Sequence, residues 1–165
     1  MSELTPLRGK TNAFVDPAGV GWTPHPRPFV AEITIDHTHL SRAVPHVNNL
    51  EYVRWLDGVA ELHATAVGCT RSVLLAQDRC FFVARHEVDY LAECWEHDQL
   101  IVATWVRSMK KTSSWRETVV VRPNDDTIVC RAKTLWAFVD LQSRRPARIP
   151  AAIASAFDAL EGVIA

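Results

Sequence analysis

The run FVAEITID, residues 29 to 36, alternates: Val30, Glu32 and Thr34 fall on one side, Ala31, Ile33 and Ile35 on the other. That two-residue period predicts a strand. A helical period follows in NNLEYVRWLDGVAELHATAVG, where Glu51, Arg54, Asp57 or Gly58, Glu61 and Thr65 make one narrow polar stripe and apolar side chains cover the rest. Such a helix is mostly buried. Asn48 is placed to cap it, Glu51 to close a capping box, and Gly68 to end it in the left-handed conformation. At 1.5 Å per residue it runs about 28 Å, the width of a small sheet.

Four Val-, Phe-, Trp- and Thr-rich segments then read as strands: 79–90, 99–110, 115–122 and 127–140. Pro123-Asn124-Asp125-Asp126 supplies a tight turn between the last two and so predicts an antiparallel hairpin; Thr112-Ser113-Ser114 is placed for the preceding turn. A final amphipathic helix is expected from Pro150, at a favoured first helical position, with Ile153, Phe157, Leu160 and Ile164 on one face. The expectation is an α+β domain over 29–165. Residues 1–28 differ in kind, since Pro6, Pro17, Pro24, Pro26 and Pro28 break both periods. They are read as an extended arm lying across a surface through Phe14, Val15, Val20 and Trp22. Apolar residues on both faces of VARHEVDYL and KTLWAFVD predict that the outer face of the sheet meets a second copy, a homodimer.

Length and charge narrow the function. The 165 residues fit one folding unit, and a net charge of −1 argues against a partner held by phosphate neutralisation, so neither nucleic acid nor an anionic membrane is expected. With no run of 18 apolar residues and no leader-like start, the protein is expected to be cytoplasmic. Cys69, Cys80, Cys94 and Cys130 lack metal-site spacing and are read as reduced, buried thiols. His37-x-His39 would share a strand face, but no third ligand accompanies it, so no metal is assigned.

Two constellations could carry chemistry. His46-Val47-Asn48-Asn49 opens the buried helix, where unpaired backbone N–H groups would polarise a carbonyl oxygen. Glu93, with Cys94 beside it, ends the strand after the helix and could serve as base or nucleophile. Each also has a plain reading, as a cap and turn, a solvated glutamate and a buried thiol. Asp57 and Glu61 are expected to pair with Arg54 rather than react. Arg107, Lys110 and Lys111, then Arg144, Arg145 and Arg148, form two basic groups that could receive the phosphates of coenzyme A or the acidic face of a carrier protein. No Walker loop, G-x-G-x-x-G or G-x-S-x-G occurs.

The run PHVNNLEYVRWLD resembles the (G/Q)HVNNxxYxxW signature that opens the central helix of hotdog-fold thioesterases, both acyl-CoA and acyl-ACP types and the 4-hydroxybenzoyl-CoA thioesterase group. VDYLAECWEHDQLIVATWV and AKTLWAFVDLQSRRPARIP are similar to their later strands. The resemblance covers about residues 29 to 150. It implies a five-stranded antiparallel sheet wrapped round the long helix, two subunits back to back as a dimer or dimer of dimers, and hydrolysis of an acyl-CoA or acyl-carrier-protein thioester. It implies no cofactor beyond coenzyme A as part of the substrate. His46 matches the histidine of the motif, and Glu93 and Cys94 match an acid and a cysteine of the plant acyl-ACP enzymes. Asn48 and Asn49 would present the oxyanion-binding amides. The chain departs from the pattern at Arg42, where many members carry Asp, at Val44 and at Pro45; Asp36 lies too far back in this register to be an obvious substitute unless the loop rearranges to bring it closer. These departures favour an alternative, a module that binds acyl thioesters without cleaving them. A dehydratase on the same fold is a third possibility.

Overall fold

The computed structural model describes residues 3–7 and 25–162. Its elements, in chain order, are β1 (Thr5–Pro6), β2 (Phe29–Thr34), a 3-10 turn (His37–His39), α1 (Asn49–Ala66), α2 (Arg71–Leu75), β3 (Arg79–Tyr90), β4 (Gln99–Met109), β5 (Ser113–Arg122), β6 (Thr127–Asp140), β7 (Arg145–Pro146) and α3 (Ala151–Ala156). The antiparallel sheet runs β1-β2-β4-β5-β6-β3, with β7 beside β6. It curls round α1. The five predicted strands are its body, and the two-residue strands β1 and β7 extend it.

Helix α1 begins where the sequence placed it. Asn48 caps it by accepting from the Leu50 N–H at 3.0 Å, and Gly68 takes φ 76° just beyond its end. The capping box does not close, because the Glu51 carboxylate turns to Arg54 instead, at 2.5 Å. Arg54 is thereby taken, and Glu61 pairs with Arg71, so neither Asp57 nor Glu61 holds Arg54 as expected. Gly58 has a packing role: a Cβ there would lie 3.1 Å from Leu4 Cδ1, so the start of the arm rests on the helix. Thr5–Pro6 adds a short strand to β2. Phe14, Val15, Val20, Trp22 and Ile164 lie outside the described residues.

The turn between β4 and β5 is two residues earlier than predicted, since Ser113 and Ser114 already belong to β5. The β5–β6 hairpin pairs Arg122 with Thr127, as the Pro-Asn-Asp-Asp run predicts. Pro150 is the N-cap of α3 and not its first helical residue, and the helix stops at Ala156. Beyond it the backbone returns to the sheet. The N–H groups of Leu160 and Glu161 donate to Val106 O and Arg107 O, filling the β4 edge past the end of β2. Backbone pairing there replaces the two further turns of helix that the apolar spacing suggested.

Two apolar clusters lie along α1. Around its first half, Tyr52, Trp55 and Val59 meet Ile33, Leu100 and Val120. Around its second half, Val106, Met109 and Phe138 meet Leu74, Ile149 and Phe157 from the short helices. On the outer face of the sheet, Trp105 and Glu117 are buried within the single chain, so this part of the face is closed without the second copy expected to cover it. Edge strand β3 differs: Phe82 and Val83 are exposed, and its outer backbone edge has no partner strand among the described residues.

Candidate active site

The chain between β2 and α1 folds back on itself to deliver His46. The Ser41 N–H donates to His46 O, the Asn48 N–H to His39 O, and Leu40 bridges Val47. His39 is buried against Trp55 with ring centroids 5.8 Å apart, while its Nδ1 accepts from the Asp36 N–H. Asp36 in turn accepts from the Thr38 N–H and caps the 3-10 turn. One reading is corrected by this. His37 and His39 do not share a strand face, because the turn sends His39 inward alone.

The segment after β3 delivers Glu93 to the same place. The Leu91 N–H donates to Val129 O and the Val47 N–H to Cys94 O, which ties both candidate segments together by backbone. Across this join, His46 Nδ1 lies 3.2 Å from Glu93 Oε1. A carboxylate only accepts, so the neutral imidazole tautomer that fits this contact carries its proton on Nδ1 and has Nε2 as its acceptor. Among the amides from Asn48 to Glu51, that of Asn49 alone has no acceptor in the described residues; Asn48, Leu50 and Glu51 donate to His39 O, Asn48 Oδ1 and Asn48 O. The pair is open to solvent, and Val44, Leu50, Tyr90, Leu91 and Trp95 leave apolar surface exposed on these same segments.

Cys94 is fully buried. Burial pushes its thiol up and keeps it protonated, with Tyr52 hydrogen-bonded to it, which suits packing and not nucleophilic attack. Arg122, which sequence reasoning passed over, holds the site from behind. Its Nη1 donates to Glu93 O at 2.8 Å, and its Nε and Nη2 grip Asp125 at 3.0 and 2.8 Å. The hydrogen bonds from Arg122 hold the Asp125 carboxyl at about 2. Tyr90 was missed too; its hydroxyl donates to Asn49 O. The i,i+3 spacing of Arg122 and Asp125 was visible as a turn pair, but its reach to Glu93, 29 residues away, had no local signature.

The basic residues stand elsewhere. Arg107 is engaged by Glu117 at 3.2 Å and Glu161 at 2.7 Å. Lys110, Lys111, Arg144, Arg145 and Arg148 are exposed, and the bond from the Ile149 N–H to Lys111 O brings the two groups to one end of the sheet. That is the end away from Glu93, separated by β4, which spans ~35 Å. Arg42 is exposed, with no polar partner in the described residues. No helix among those residues is long and apolar enough to cross a membrane.

A curled antiparallel sheet wrapped round one long helix is the hotdog arrangement of the α+β folds. The sequence profile of the thioesterase-like superfamily matches residues 28–157, and the chain belongs to that family. The fold is similar to a proposed oleoyl thioesterase from Lactobacillus plantarum, at TM-score 0.76 and 12% identity over 83% of this chain and 52% of that one. It is also similar to a 1,4-dihydroxy-2-naphthoyl-CoA thioesterase from Synechocystis, at 0.74 and 15% over 81% and 98%. A Staphylococcus aureus protein solved in complex with CoA is similar at 0.75 and 12% over 84% and 87%. The chain thus spans about half the length of the Lactobacillus protein. Comparison with curated protein sequences finds no match.

Proposed function

We propose that this chain hydrolyses an acyl thioester, of coenzyme A or of a carrier protein, to the free acid and the thiol. The observation that carries the reading is the 3.2 Å contact between His46 Nδ1 and Glu93 Oε1 beside the unpaired Asn49 amide. Glu93 orients the ring, and His46 Nε2 takes a proton from water as its oxygen attacks the thioester carbon. This makes Glu93 the positioning residue for an imidazole base; imidazole is the side chain whose ordinary titration range straddles neutral pH. The oxyanion forms against the Asn49 N–H and the positive end of α1. When the C–S bond breaks, the thiolate leaves with the proton carried by the imidazolium. Coenzyme A enters as part of the substrate, and these steps draw on no resident cofactor.

The free edge of β3 supports a homodimer, because an uncovered strand edge with apolar side chains is a template for a second copy. Antiparallel pairing of two β3 strands would set the Arg79 end of one subunit against the Tyr90 end of the other. Arg144 and Arg145 of the partner subunit would then approach the His46–Glu93 mouth, where a CoA nucleotide would emerge.

One observation favours the second reading, binding without cleavage: only one amide of the mouth is free to meet an oxyanion. Thiol release from acyl-CoA esters of several chain lengths decides between them. Hydrolysis by the wild type that falls about 10²- to 10⁴-fold in Glu93→Ala and in His46→Ala, with the fold retained, supports the dyad. Saturable acyl-CoA binding with no release supports the module, and full activity in either variant removes that residue from the mechanism.

A further inference from the structure

The second half of α1 encloses a cavity of about 320 Å³ against the sheet and α2. Its lining is largely apolar, with Leu74, Phe81, Val106 and Met109 among the residues, yet one charged group on it, Arg116, is only partly satisfied. Trp136 Nε1 is buried with no hydrogen-bond partner. Arg116 is only 5% exposed, and no carboxylate pairs with it among the described residues. Its Nη1 donates to His63 Nδ1 at 3.0 Å and Thr104 Oγ1 at 3.2 Å, while Nε and Nη2 have no acceptor there. The strand register puts both groups on the inner face, with Val106 opposite Arg116 and Ser114 opposite Trp136.

We propose that this cavity binds a small organic carboxylate, its anionic end on the free edge of the Arg116 guanidinium and its apolar body among Leu74, Phe81, Val106 and Met109. A buried charge without a counter-charge is costly, and so is a buried donor without an acceptor. One carboxylate answers both, since the planar fork of a guanidinium matches its two oxygens. Burial lowers Arg116 only to about 10, so the guanidinium is charged at neutral pH, whereas His63, pushed to about 3 mainly by burial, accepts its bond as a neutral ring. Glu117, the next residue along β5, cannot supply the missing charge because it faces the other side of the sheet, held by Arg107 and Trp105.

Size and position separate this from the proposed reaction site. At roughly 30 Å³ per water-sized group, the cavity has room for about ten non-hydrogen atoms. Octanoate has that number. From Asn49 to Thr65 the helix covers about 24 Å, so a ligand of that size held at Arg116 does not reach His46. The mouth of the cavity is rimmed by the exposed Glu61–Arg71 pair, between α1 and α2.

Calorimetry and thermal shift with the full chain test the proposal, using octanoate with octanol and octyltrimethylammonium as controls. The expected result is one saturable octanoate per chain, octanol at least about tenfold weaker, and no binding of the cation. Arg116→Lys keeps the charge and loses the planar fork, and should weaken octanoate about tenfold. Arg116→Met should abolish binding without lowering the melting temperature, because it removes an uncompensated buried charge. Should Arg116→Met fail to fold, Arg116→Lys carries the test. No saturable octanoate binding, octanol binding as tightly as octanoate, or variants that all bind like the wild type would overturn it. The measurement needs no turnover, so its failure is distinct from a failure of the hydrolase reading.

Discussion

The two ends of α1 face opposite problems. At its mouth His46 and Glu93 are open to solvent and satisfy each other, with Arg122 fixing the backbone behind them. Halfway down, Arg116 is buried and only partly satisfied, and the buried Trp136 Nε1 has no partner among the described residues. An exposed polar pair costs little to maintain and can meet a large substrate from outside, so it suits chemistry on a thioester delivered by a bulky carrier. Buried unsatisfied donors are expensive, and they are stable only where packing fixes them or a ligand completes them. The helix therefore carries an open polar end and a buried one, separated by the packed cluster of Trp55 and Val59.

The largest expected effect lies at the open end. If His46 and Glu93 act as one unit, removing both should slow thiol release no more than removing either, a loss of about 10²- to 10⁴-fold in each case. Losses that multiply in the double variant would show two independent roles. Octanoate affinity, measured on the same proteins, keeps the two ends apart if it does not change.

Next in size is a pH effect from the buried end. His63 is stacked on Phe29 at 5.2 Å between centroids and edge-on to Phe157 at 5.3 Å, and burial, aided by the Arg116 charge, lowers it to about 3. Its folded value lies below its unfolded one, near 6.5, so in between the unfolded chain binds the extra proton. Stability is then free of this penalty above about pH 6.5 and falls as pH drops from there toward 3, at up to about 1.4 kcal/mol per unit. Denaturant unfolding from pH 7 to 4.5 should show that slope, and His63→Phe, which keeps the ring stacking, should flatten it. An equal slope in the variant would mean that other groups set the acid sensitivity.

The elements were largely legible in the chain, because five strands and one long helix obey simple periods and strong caps. The joining of PHVNN to AEC was legible only through resemblance, since nothing local in either run points to the other. What escaped was long-range and polar. Arg116 alternates like any other strand residue, and only the curl of the sheet shows that its side faces the helix with no carboxylate paired to it among the described residues. The C-terminal helix was overestimated for a related reason: Leu160 keeps helical spacing, but the vacant β4 edge offers its backbone better hydrogen bonds than another turn.

Arg122 gives a smaller and more local test of the open end. Its guanidinium is the only link from β5 to the Glu93 carbonyl among the described hydrogen bonds. Arg122→Ala should cost about 1.5–3 kcal/mol, the worth of hydrogen bonds to a charged group. It should also reduce kcat about tenfold through misplacement of Glu93, with KM nearly unchanged. A stability loss of that size with unaltered kcat would show that Arg122 braces the fold without positioning the acid.

The smallest effect asks whether the two ends meet across subunits. Lys111, Arg144, Arg145 and Arg148 lie ~35 Å along the sheet from Glu93 of their own chain, too far for one CoA to touch both within a subunit. Antiparallel pairing of β3 would bring them within reach of the neighbour's mouth, and phosphate contacts from exposed arginines are each worth about 1 kcal/mol or less. Neutralising Arg144, Arg145 and Arg148 together should therefore raise KM for an acyl-CoA several-fold, more at low salt than at high, with kcat unchanged. An acyl-pantetheine ester, which lacks the nucleotide phosphates, should show no such rise. If both substrates respond alike, or neither responds, the basic end has no part in holding the nucleotide, and the subunit arrangement argued from β3 loses its functional support.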